Sequence, residues 1–224
     1  MCFPGFPRRC TARSSREVRP VSILHGHTDN ITDISWHESQ QHLLSSCGRD
    51  SAVRVWDTRD NKTSLLIDGA HHGGANCVQF HPVSSFAFAS AGEDGIGKLW
   101  DLRKTKDPTY RLAYHGRAIT SLHWAPFCES VLATGGKDRR VVIWDIERGS
   151  AHENYDGEAH APVEVAFVHI GHLSAITDLR WNEGLDDEWV LASVDSSNCL
   201  QYYRPKDRVV NDHIPAEAFD VDYA

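Results

Sequence analysis

Residues 27–57 read HTDNITDISWHESQQHLLSSCGRDSAVRVWD, residues 71–101 read HHGGANCVQFHPVSSFAFASAGEDGIGKLWD, and residues 115–145 read HGRAITSLHWAPFCESVLATGGKDRRVVIWD. Aligned on His27, His71 and His115, the three stretches repeat every 44 residues. A large aromatic follows at Trp36, Phe80 and Trp124, and a small hydroxyl residue at Ser46, Ser90 and Thr134. An acid comes next, at Asp50, Asp94 and Asp138, before the tryptophans Trp56, Trp100 and Trp144, each followed by aspartate. A fourth copy starts at His172 and keeps Trp181 and Ser193, but it has Ser197 at the turn position and Tyr203 for the tryptophan.

These residue types make sense together as a buried relay. The turn carboxylate accepts from the imidazole, the imidazole contacts the hydroxyl, and the hydroxyl reaches the indole N–H. A buried polar group left unpaired costs about 1–3 kcal/mol, so the set stays together. The fourth copy is expected to lack this relay and to be the weakest or the end unit. Between the marks lie short β-branched, alternating runs such as Ala52 to Trp56 and Val141 to Trp144, which read as strands.

A period of this length, with histidine near its start and Trp-Asp near its end, resembles WD-repeat propeller blades, each a four-stranded sheet. The expected fold class is therefore all-β, a WD-repeat β-propeller with about four blades of a seven-bladed architecture, partial or open. The blades are expected at about 23–68, 69–112, 113–147 and 166–205. Residues 1–22 read as a disordered lead-in rich in arginine, and 206–224 as a helix and acidic tail. The short blade count suggests a partial gene product; alternatively Val21 to Leu24 supplies an outer strand after Tyr203 and closes a smaller ring.

Composition narrows the function classes. The chain has 224 residues and a formal charge of −8, unevenly placed: Glu147 to Ala224 holds 16 acids against 5 bases. An acidic surface favours basic partners and repels nucleic-acid phosphate, so no direct nucleic-acid contact is expected. No apolar run is long enough for a membrane span. The six cysteines form no C-x-x-C pair, and four of them read as small hydrophobes in strands or at strand ends. Fourteen histidines invite a metal reading, but His27 and His71 belong to the repeat and no ligand set is completed, so no metal and no cofactor are expected. Ser or Thr, His and Asp recur in copy after copy, which fits structure rather than catalysis. Arg139-Arg140 reads as a solvated turn.

From His115 to His172 the step is 57 residues, and the 13 extra fall in an acidic segment, 147–165. Long loops in regular arrays are where function concentrates. Around it, Trp56-Asp57-Thr58-Arg59, Leu99-Trp100-Asp101-Leu102-Arg103, Asp138-Arg139-Arg140, Phe167-Val168-His169 and Trp189-Val190 are similar to the later repeats of the retinoblastoma-binding, Msi-type histone-binding WD-repeat proteins. That resemblance implies a nuclear protein with a cytoplasmic pool, a noncatalytic scaffold binding core histones and subunits of chromatin-modifying complexes. It implies a histone helix gripped by Asp156, Gly157 and Glu158, with Phe167 and Val168 as apolar floor and Val209 opposite. Asn76 matches a tail-binding asparagine at the channel mouth. Two alternatives stay open: a ribosome-assembly WD-repeat protein, and a substrate receptor of a cullin-type ubiquitin ligase docking through Arg59 and Arg103.

Overall fold

In the computed structural model, residues 20–60, 62–150, 162–184 and 188–205 are described. They form four antiparallel sheets in chain order. The first contains β1 (Ile31–Trp36), β2 (Leu43–Gly48), β3 (Val53–Asp57) and β4 (Lys62–Ile67). The second contains β5 (Ala75–Phe80), β6 (Ala87–Gly92), β7 (Ile96–Asp101) and β8 (Tyr110–Ala113). The third contains β9 (Ile119–Trp124), β10 (Val131–Gly136), β11 (Val141–Asp145) and β12 (Val165–His169); the fourth contains β13 (Ile176–Trp181), β14 (Leu191–Asp195) and β15 (Leu200–Tyr203). Innermost strands β1, β5, β9 and β13 pack side by side in that order, so the sheets are blades of a partial, open β-propeller.

One boundary moves. The expected fourth unit began at residue 166, but Val165–His169 hydrogen-bonds to β11, with Val141 opposite His169 and Ile143 opposite Phe167. The third blade therefore extends to His169 and holds the long connection inside it, between its third and outermost strands. The outer strand of a blade pairs only with the strand before it, so an insertion can separate the two in sequence without breaking the sheet. A short helix, α1 (Ile146–Ser150), opens that connection, and Asp145 Oδ1 accepts from the Glu147 N–H at 3.1 Å, the helix-capping use of a carboxylate.

The core is three slabs, one per blade junction. Val53, Val55, Val78, Phe80 and Phe88 fill the first. Ile119, Trp124, Leu132, Val142 and Trp144 dominate the second, and Ile143, Ile176, Leu179, Trp181 and Trp189 the third. Each slab needs a sheet on both sides. Trp36 in the first blade is therefore 54% exposed, whereas its counterparts Phe80, Trp124 and Trp181 are 2%, 4% and 3% exposed. On the last blade Leu200 and Tyr202 are likewise exposed. Val21 to Leu24 form no strand, and among the described residues nothing pairs with the free edge of β15.

Candidate functional site

Every innermost strand carries a β-bulge at the same place: Thr32, Asn76, Thr120 and Thr177 each sit at a register shift. A bulge leaves one residue out of the ladder and re-aims its side chain. In the first three blades the freed side chain crosses to the next blade, whereas Thr177 Oγ1 donates within its own blade to the Val194 carbonyl at 3.3 Å. Thr32 Oγ1 donates to the Ala75 carbonyl at 2.6 Å, Asn76 Nδ2 to the Ile119 carbonyl at 2.8 Å, and Thr120 Oγ1 to the Ile176 carbonyl at 2.7 Å. Asn76, expected at a tail-binding site, is thus a junction residue whose amide also reaches Glu93 at 3.2 Å.

The relay forms as expected in three blades. His27 Nδ1 lies 2.9 Å and 3.0 Å from the two Asp50 oxygens, its Nε2 2.7 Å from Ser46 Oγ, and Trp56 Nε1 donates to that oxygen at 2.8 Å. His71, Asp94, Ser90 and Trp100 repeat the geometry, as do His115, Asp138, Thr134 and Trp144. Since a carboxylate only accepts, Nδ1 carries the proton and Nε2 accepts from the hydroxyl. Burial works to raise the Asp94 carboxyl, but the His71 hydrogen bond and charge outweigh it and hold it at about 2. Burial depresses His71 below its ordinary range, against the pull of Asp94, so the imidazole is neutral at neutral pH.

The fourth blade corrects an expectation, because it does build the polar chain. His172 Nδ1 meets Asp195 Oδ2 at 2.9 Å and its Nε2 meets Ser193 Oγ at 2.7 Å. In the β-hairpin turn, Asp195 stands where the other blades have Gly48, Gly92 and Gly136, and Ser197 stands where they have Asp. A Cβ on Gly136 would lie 2.7 Å from His115 Nδ1, so a side chain at this position points straight at the imidazole. Asp195 reaches it directly, and Ser197 Oγ turns to donate to Asp195 Oδ1 at 2.6 Å. The Tyr203 hydroxyl is only loosely joined, 3.5 Å from Ser193 Oγ.

The motif arginines fold back on their own motifs. Arg59 Nε and Nη2 donate to the Asp57 carboxylate, and Arg103 does the same to Asp101. These hydrogen bonds hold both carboxyls at about 2. The Arg103 guanidinium also covers the Phe86 ring, 4.5 Å from its centre. Of the other expected contacts, Phe167 packs into the third slab and Val168 into the second. Adjacent strand residues point to opposite faces, so the pair does not form one apolar floor. Asp156, Gly157, Glu158 and Val209 lie outside the described residues, as do the expected helix and acidic tail at 206–224 and most of the expected lead-in.

Some functional features went unread in the sequence. His37 and His81, also 44 residues apart, each reach a carbonyl in the following blade, Ser85 at 3.1 Å and Glu129 at 2.9 Å; the period itself was the signal. The face of the innermost strands gathers Asp33 of β1, His123 of β9, and Asp178 and Arg180 of β13. Burial raises the Asp33 carboxyl although the Val78 N–H donates to it at 3.0 Å. Burial, helped by Arg180 3.3 Å away, pushes His123 down to about 4. Cys47 and Cys77 behave as buried hydrophobes, burial pushing the Cys47 thiol up to about 12, whereas Cys199 is exposed. His172, Asp195 and Cys199 place three potential ligand atoms within 4.8 Å of one another, but two of these groups already serve the relay.

Among the described residues, the Ser-His-Asp sets are inward-facing ties, and the polar side chains between blades hold neighbouring backbone. What the array offers is rigid surface for other proteins. A family model described as WD domain, G-beta repeat, matches residues 18–57, 63–101 and 106–145. The match covers more than half of the sequence and includes the three Trp-Asp units, and the chain belongs to the WD-repeat family of protein-interaction scaffolds.

Proposed function

We propose that the chain is a noncatalytic histone-binding scaffold subunit of nuclear chromatin complexes. The observation that carries this reading is the acidic connection between β11 and β12, set in an otherwise regular array. Residues 147–165 contain Glu147, Glu153, Asp156, Glu158 and Glu164 against the single cation Arg148. Carboxylates at this density suit a basic core-histone helix, whose Lys and Arg they pair through charge-assisted hydrogen bonds. In this reading Asp156 and Glu158 grip the helix with Gly157 between them, Phe167 supplies the apolar contact and Val209 closes the other side.

The test is titration calorimetry with a core-histone first-helix peptide. Binding by the wild-type chain and a loss of at least tenfold on Asp156→Lys with Glu158→Lys are expected. Absence of binding by the wild-type chain sinks the proposal. A second reading has its own observation: the Arg59 and Arg103 guanidinium groups are exposed and held in fixed orientation on consecutive blades. Docking on a cullin-ligase adaptor through them predicts that Arg59→Ala with Arg103→Ala abolishes adaptor capture.

A further inference from the structure

Between the third and fourth blades lies a cleft of about 600 Å³ lined by Arg117, Lys137, Arg139 and Arg140, with Tyr114 and Leu173 beside them. Its one acid, Asp138, has its carboxylate turned inward to His115 and to the Gly116 N–H. Lys137 is paired with Glu93 at 2.9 Å. No carboxylate lies at ion-pair distance from Arg117, Arg139 or Arg140 among the described residues.

The repeat shows that this charge is not required by the fold. The residue two after the relay histidine, and the three positions flanking the turn residue (Asp50, Asp94, Asp138 or Ser197), are Asp29, Arg49, Ser51 and Ala52 in the first blade. In the second they are Gly73, Glu93, Gly95 and Ile96, and in the fourth Ser174, Ser196, Asn198 and Cys199. Only the third blade fills all four with cations, in a chain whose formal charge is −8. Arg139 occupies the left-handed region, with φ 69°, as do its equivalents Ser51, Gly95 and Asn198 in the other hairpin turns, so the turn itself sets this backbone and the residue type there is free to vary.

We infer that this cleft binds a phosphate monoester carried on a peptide. A phosphate dianion offers three strong acceptors and is best met by several guanidinium donors, as Arg117, Arg139 and Arg140 provide. Arg140 lies over the Tyr114 ring, 5.8 Å from its centre, which keeps it at the cleft wall. Leu173, 85% exposed at the rim, receives an apolar side chain beside the phosphoresidue. The volume suits one modified side chain and its neighbours. A nucleic-acid backbone needs cations along many phosphates, and one spot on an acidic chain does not supply them.

The experiment is fluorescence anisotropy of the full chain with a labelled phosphoserine peptide library, the same library unphosphorylated, and a single-stranded DNA of equal charge. The phosphopeptides are expected to bind at least tenfold more tightly than either comparison set and to be displaced by inorganic phosphate. Arg117→Gln with Arg139→Asn, the latter suited to the left-handed position, is expected to lower binding at least tenfold without lowering the unfolding midpoint. In amide NMR of the wild-type chain, inorganic phosphate is expected to shift Gly116, Arg117 and Lys137 to Arg140. Equal binding of both peptide libraries, preference for DNA, or phosphate shifts confined to other blades overturns the inference.

Discussion

Replacing Thr134 by valine isolates what the buried relay contributes. Valine keeps the β-branched shape and volume, so strand preference and packing are conserved. What disappears is one oxygen with two partners: it accepts from Trp144 Nε1 at 2.8 Å and donates to His115 Nε2 at 2.8 Å. Thr134 and Trp144 are fully buried and His115 nearly so, leaving no water to replace the lost contact. One donor and one acceptor are orphaned at about 1–3 kcal/mol each, giving an expected loss of about 2–6 kcal/mol. At roughly 2–4 °C per kcal/mol for a chain of this size, the midpoint falls by roughly 4–24 °C. Urea and thermal unfolding followed by circular dichroism measure it. Trp144→Phe removes the other end of one bond, so the double variant should lose less than the sum of the two, by about 0.5 kcal/mol or more. A loss for Thr134→Val within about 0.5 kcal/mol of zero, or strict additivity with Trp144→Phe, refutes the relay as a source of stability.

Other outcomes follow from particular contacts. Asp195→Gly should abolish the slowly exchanging His172 Nδ1 proton in NMR, and adding Ser197→Asp should restore it by rebuilding the turn of the first three blades. His123 is a base whose folded value, about 4, lies below its ordinary 6.5. Its contribution to stability is complete above pH 6.5 and is lost as pH falls towards 4, on the order of 3 kcal/mol; His123→Asn should flatten that part of the stability profile. Trp181→Ala should cost about 3–5 kcal/mol in urea unfolding because it leaves a cavity in a closed slab, whereas Trp36→Ala, on the open face, should cost about 1 kcal/mol.

The architecture was legible because the repeat writes the same polar chain three times. The three inner strands of each of the first three blades are marked by residues of fixed spacing, so His, the hydroxyl residue, Asp and Trp suffice to place them. The limits of this reading are equally physical. A strand such as Val165–His169 carries no mark of its own, and pairing alone assigns it to the third blade rather than the fourth. The fourth relay was missed because a carboxylate at Asp195 reaches the same imidazole from a different backbone position, a substitution visible only in three dimensions. Asn76 shows the converse: its role at a blade junction depends on a bulge, and bulges leave no compositional trace.

The uncovered side of the first blade also sets how the array comes apart. In a quasi-one-dimensional stack each unit is held by its neighbours, and local opening starts where a neighbour is lacking. Ile31, Ile34 and Trp36 face outward there, so among the described residues the first sheet has packing on one side only. Amide hydrogens should therefore exchange in an ordered series, β1 to β4 giving way before the doubly flanked strands β9 to β11. The molecule has a loose end and a tight middle, and the acidic connection springs from the sheet that opens last.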